Sequence, residues 1–113
     1  MRLTTKARSA RSYERDDGKK PFDIWLNDLK DNQAKARVVV RIERAKVGLF
    51  GTYRDLKDGV FELKDGFGPG YRVYFGIHHD DIIILLVGGD KGSQGRNIVK
   101  AKEYWADFLN RSK

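Results

Sequence analysis

Gly70-Tyr71-Arg72-Val73-Tyr74-Phe75, then Ile82-Ile83-Ile84-Leu85-Leu86-Val87, then Gly88-Gly89-Asp90-Lys91-Gly92-Ser93-Gln94 decide how this chain folds. In the first run Tyr71, Val73, Phe75 and Ile77 share one face, and Arg72, Tyr74, Gly76 and His78 share the other, which is the period of a strand. His79-Asp80 reads as a turn. The run from Ile82 to Val87 is apolar throughout, as suits a central strand covered on both faces. Two adjacent strands thus present Arg72 and Tyr74 together and deliver Lys91 just past the second. Upstream, Val60 to Lys64 also alternates, with Phe61 and Leu63 on one side and Glu62 and Lys64 on the other. Asp65 to Gly70 reads as a glycine-rich hairpin loop between these strands.

Working outward, the period changes. Ser9 to Arg15, with Tyr13, reads as a short first strand, and Asp16-Asp17-Gly18 as a turn. Pro21 suits the first turn of a helix, where its missing N–H costs nothing. Phe22, Trp25, Leu26 and Leu29 follow at helical spacing. Asp31-Asn32 separates this helix from a second over Gln33 to Val47. Its apolar stripe is Ala34, Val38, Ile42, Ala45 and Leu49, with Gly48 as the C-terminal cap glycine. A last helix carries Ile98, Ala101, Trp105, Phe108 and Leu109, with Ser93 as a candidate cap. The predicted order is strand, helix, helix, three antiparallel strands, helix. This gives one α+β domain over residues 1–113, in two layers, with the helical hairpin and the terminal helix on the sheet.

The chain of 113 residues holds no cysteine, so disulfides and thiolate metal sites are excluded and a reducing cytoplasm is the expected compartment. Met1 to Ala10 is basic without the apolar core of a signal peptide, and no apolar run approaches membrane-spanning length. The formal charge of +7 favours polyanionic partners. Arg37, Arg41 and Arg44 lie at i, i+4 and i+7 on a face of the second helix away from its apolar stripe. They read either as a solvated face or, with Arg96, as contacts to nucleic-acid backbone.

The face of Glu62, Lys64, Arg72 and Tyr74 carries the most chemistry. Arg72 can grip a phosphate with a bidentate fork; equally, it can pair with Glu62 across the strands while Tyr74 packs. Lys91 sits between a strand and a helix start, where backbone N–H groups attract phosphate. The loop lacks the spacing of a nucleotide-binding P-loop, and no nucleophilic triad is present. His78, His79, Asp80 and Asp81 point apart on a tight turn, so no metal or other cofactor is expected. Trp25 and Trp105 sit on apolar stripes and read as core.

These stretches resemble the RelE/ParE toxin superfamily of bacterial toxin–antitoxin modules, and within it the HigB-like branch of addiction-module killer proteins. The resemblance runs through Pro21-Phe22, Trp25-Leu26, Leu29-Lys30-Asp31, Gly59 to Leu63, Gly68 to Phe75, Leu85-Leu86, Gly88 to Lys91, Gln94 and Ala101 to Trp105. It covers nearly the whole chain beyond the first ten residues. It implies a toxin that cleaves messenger RNA on the ribosome without metal, neutralised in a complex with a cognate helix-turn-helix antitoxin. Arg72 would bind phosphate and the transition state, and Lys91 would add a second positive charge. Lys64 would contact phosphate or assist proton transfer, and Tyr74 would position the substrate. Some members of the superfamily instead inhibit DNA gyrase. The chain departs from the branch at Lys64, where Arg is usual, and at Gly92, where Ser or Thr is usual. It departs again at Asn97, where Asp is usual, so an attenuated relative is a further reading.

Overall fold

The computed structural model describes residues 3–65 and 70–113. The loop expected over Asp65 to Gly70 lies for the most part outside the described residues. The elements are β1 (Ser9–Ser12), α1 (Pro21–Asp28), α2 (Asn32–Lys46), β2 (Tyr53–Asp55), β3 (Phe61–Lys64), β4 (Arg72–His78), β5 (Ile82–Gly89) and α3 (Gln94–Arg111). They form an α+β domain around one five-stranded sheet of order β1-β5-β4-β3-β2. β1 runs parallel to β5, and the other neighbours are antiparallel.

Two expectations are corrected. The first is the strand count, because Tyr53-Arg54-Asp55 forms the edge strand β2 against β3. Three residues are too few for a periodic signal. The second is the number of layers. One core joins Phe22, Val38 and Ile42 of the helical hairpin to Phe61, Val73, Phe75, Ile83 and Leu85. The other joins Ala101, Trp105 and Phe108 of α3 to Tyr74, Ile84, Leu86 and Val87. The hairpin and α3 therefore cover opposite faces, and the domain has three layers. The uninterrupted apolar run of β5 requires this, since neither face of that strand can be left to water.

A bulge in β5 shapes the far end of the sheet. Tyr74 pairs with Val87 but Phe75 pairs with Leu85, which leaves Leu86 as an extra residue. Leu86 and Val87 consequently face the same core. Beyond the bulge Gly88 turns to α1 and Gly89 to α3. A side chain at Gly88 would overlap the Trp25 ring, and one at Gly89 would overlap Asn97.

Local chemistry explains the helix boundaries. The Asp31 carboxylate accepts hydrogen bonds from the Gln33 and Ala34 N–H groups at 2.9 and 3.3 Å, so α2 starts at Asn32. Gly48 ends it in the left-handed region, at φ 87°. The turn sends Leu49 to solvent and buries Phe50 in its place. Leu109 is likewise exposed, so the stripe of α3 closes at Phe108. His79 and Asp80 both have positive φ, and the Asp81 N–H donates to the His78 carbonyl at 3.1 Å, which closes the turn between β4 and β5.

α3 is tied to β1 by polar contacts. The Tyr13 hydroxyl donates to the Asp107 carboxylate, which also accepts from Arg111 Nε at 3.0 Å. The hydrogen bond from Tyr13, with help from Arg111, holds the Asp107 pKa below the usual carboxylate range. Burial, then the bond to Asp107, pushes the Tyr13 phenol up to about 12. A depressed carboxylate contributes stability above its unfolded pKa and loses it as pH falls through the folded value. A raised phenol contributes stability below about 10 and loses it as pH rises towards 12. Thermal melting from pH 2 to 12 is therefore expected to fall at both limits, and Tyr13→Phe to flatten the alkaline limb. An unchanged alkaline limb in that variant would refute this coupling.

Candidate functional site

The sheet end opposite the His79-Asp80 turn gathers the cations of the strand pair. Lys64 stands directly across from Arg72, and Glu62 across from Tyr74, in the β3–β4 register. Arg72 in turn pairs with Gly89 of β5. The chain then enters a single 3₁₀ turn, Lys91–Ser93, which leads straight into α3. Asp90 caps that turn, accepting from the Ser93 N–H at 3.0 Å, while the Asp90 N–H donates to Ser93 Oγ at 3.2 Å. The cap is therefore Asp90; Ser93 completes the box rather than starting the helix.

Gly70 lies beside the Arg72 guanidinium and the stem of Lys91. A side-chain carbon there would sit 3.0 Å from Arg72 Nη1 and 3.7 Å from Lys91 Cβ. Its φ of 72° also favours glycine. The Arg72 Nη1 group donates to the Gly70 carbonyl. Its Nε lies 3.7 Å from Glu62 Oε2 and has no hydrogen-bond partner among the described residues. The Arg72 side chain is only 6% exposed, whereas Lys64 and Lys91 are exposed beside it.

Glu62 is the anionic centre of this end. Its side chain is 3% exposed, and Oε2 accepts from Gln94 Nε2 at 2.9 Å. Its Oε1 lies 3.5 Å from Arg54 Nε on β2. A buried carboxylate is tolerated only when so partnered. Tyr74 is wholly buried beneath this cluster, and its hydroxyl finds no hydrogen-bond partner among the described residues. Burial, then the charge of Glu62, raises its pKa far above that of a free phenol. Of the four residues expected to carry chemistry, Arg72, Lys64 and Lys91 share one sheet end. Tyr74 instead lies in the core facing α3.

The arginines read as nucleic-acid contacts divide between faces. Arg37, Arg41 and Arg44 are on α2 and Arg96 on α3, with the sheet between. Arg37 holds Asp65 through two hydrogen bonds, of 2.8 and 3.2 Å. Arg41 Nη2 donates to the Thr52 and Lys64 carbonyls at 3.0 and 3.2 Å, and burial lowers its pKa. Arg44 and Arg96 are exposed. Arg37, Arg41 and Arg44 also line a shallow pocket of about 270 Å³ with Val40. A cleft of about 410 Å³ lies elsewhere, by β1 and the end of α3. Its Arg111 is already engaged by Asp107 and the Glu14 carbonyl.

His78 and His79, expected to point apart, instead stack at the other end of the sheet, ring centroids 3.8 Å apart. Burial, then the neighbouring His79, lowers the His78 pKa. Among the described residues, no group of three His, Asp or Glu side chains could hold a metal ion. No helix of the described residues is long and apolar enough to cross a membrane.

Arg54 and the Glu62–Gln94 contact escaped the sequence reading. Arg54 lies on the strand that gave no periodic signal. Gln94 had a legible cue in its place three residues after Lys91, one turn along the start of a helix.

Fold and site together define a basic α+β domain with cations clustered at one end of its sheet. No family model matches the chain. It is 46% identical over 81 residues to an uncharacterized protein of Haemophilus influenzae, an alignment that spans 72% of this chain and 82% of that protein. The chain belongs to the same family as that protein.

Proposed function

We propose that this protein is the toxin of a type II toxin–antitoxin module, of the RelE/ParE superfamily and its HigB-like branch, and acts as a ribosome-dependent messenger RNA endoribonuclease. The observation that carries this reading is the placement of Arg72 and Lys91 beside Gly70, with Lys64 opposite Arg72. Three cations at one sheet end suit a phosphodiester, whose scission concentrates negative charge on phosphorus-bound oxygens. The ribose 2′-hydroxyl gives its proton to solvent water as its oxygen attacks the adjacent phosphorus, a 2′,3′-cyclic phosphate forms, and the bond to the 5′-oxygen breaks as that oxygen gains a proton. No metal or other cofactor enters this scheme. Arg72 and Lys91 offset the charge, and Lys64 can donate to the departing oxygen. Tyr74, wholly buried, supports the floor of the site rather than touching RNA.

A cognate antitoxin is the proposed protein partner, and the cytoplasm the proposed compartment. Val40 is 53% exposed beside Arg37 and Arg44 on α2, a surface suited to an acidic amphipathic segment.

Primer extension on messages from briefly induced cells, beside an Arg72→Ala control, tests the reading. Discrete cuts inside translated regions, absent in the control, are expected. Intact messages with arrested growth would point to a protein target such as gyrase. Intact messages with normal growth would point to an attenuated relative, in which the Arg72–Glu62 pair is structural only.

A further inference from the structure

We infer that Glu62 and Gln94 are positioning residues, which hold the Arg72 guanidinium and the Lys91 turn in a fixed relation. The inference rests on the reading of Arg72 as the phosphate ligand. Three observations lead to it.

Glu62 is a buried carboxylate shared by groups from three elements: Arg54 of β2, Arg72 of β4 and Gln94 of α3. A partner for Arg72 alone would not need Gln94. Gln94 is the first residue of α3, immediately after the turn that carries Lys91. Its 2.9 Å bond to Glu62 Oε2 therefore fixes the start of the helix, and with it Lys91, against the strand opposite Arg72. Finally, the same oxygen that accepts from Gln94 is the one nearest Arg72 Nε, at 3.7 Å. The amide occupies a lone pair that would otherwise draw Nε into a tighter ion pair. Arg72 Nε is thus left without a hydrogen bond among the described residues, while Nη1 is anchored on the Gly70 carbonyl. The arrangement holds the guanidinium at one end, with Nε buried beside Glu62. Such orientation by neighbours of a binding group commonly governs its effectiveness.

Glu62 itself is poorly placed as a proton acceptor, because two guanidinium groups and an amide already occupy it. Its contribution is geometric and electrostatic, exerted through Arg72 and Lys91.

The test compares the wild-type protein with Gln94→Leu and with the exchange E62Q/Q94E. The exchange restores a carboxamide–carboxylate bond with the donor on β3. Cleavage of a translated message on purified ribosomes gives kcat and KM, and NMR gives the hydrogen exchange of the Arg72 Nε–H. Gln94→Leu is expected to lower kcat by about 10- to 100-fold with KM nearly unchanged. It should also alter the exchange rate of Arg72 Nε–H while the melting temperature stays within about 3 °C. The exchange variant keeps the bond to α3 but takes the carboxylate from Arg54 and Arg72, so its kcat should stay below that of the wild type. Wild-type-like kcat and Nε–H exchange in Gln94→Leu would overturn the inference. A wild-type protein that cleaves no message would fail the nuclease reading alone, because the Nε–H comparison still decides whether Gln94 positions Arg72.

Discussion

Replacing Arg72 by lysine is expected to lower message cleavage by about 10²- to 10³-fold, although the charge is retained. Lysine offers a single ammonium, which cannot bond the Gly70 carbonyl, lie against Glu62 and present a further donor at once. At a site this buried the ammonium would be drawn to Glu62 and held there. The substitution thus separates a point charge from a fork. Quantified primer extension after induction, with circular dichroism to confirm folding, measures it. A lysine variant that cuts as fast as the wild type would show that guanidinium geometry is irrelevant, and the proposed site would have to be redrawn.

The largest effect on stability is expected from Trp105→Ala, about 3–5 kcal/mol measured by urea unfolding. Trp105 packs on Gly76 of β4 and on Gly59, at both of which a methyl group would collide with the ring. It also stacks with Phe108, centroids 5.5 Å apart, and joins Tyr74 and Ile84 in the core under α3. Backbone on one side and a rigid β-sheet beneath leave little that could collapse into the gap. A loss below about 1 kcal/mol would mean that α3 repacks as a unit, contrary to the close fit at Gly76.

Much of this arrangement was legible in the chain. Alternation in Val60 to Lys64 and Tyr71 to His78 put Lys64 and Arg72 on one face, and the register makes them direct neighbours. The helical stripes gave Phe22, Val38, Ile42, Ala101 and Trp105 as core. What escaped depended on distance in sequence or on brevity. β2 is three residues long, and its Arg54 reaches Glu62 only once β2 and β3 are paired. The third layer was implicit in the all-apolar β5, but a stripe on a helix does not say which face of a sheet it covers. Tyr74 shows the limit most clearly. Alternation places it beside Arg72, yet only the packing of α3 reveals that this part of the face is dry. Arg8 is similar: charge in the sequence, but a side chain 1% exposed that binds Thr4 and Asp80.

The unmatched Leu86 makes β5 one residue longer than its ladder needs. The pairs on either side of it, Phe75 with Leu85 and Tyr74 with Val87, are consecutive on β4, so a strand shortened by that residue would keep the same partners. Gly88 would still face α1 and Gly89 α3, and the chain would still leave the sheet on the side where α3 packs. A second residue lost would have no bulge to absorb it and would reverse every side chain beyond it. The cation cluster thus survives one deletion in this strand and is undone by two.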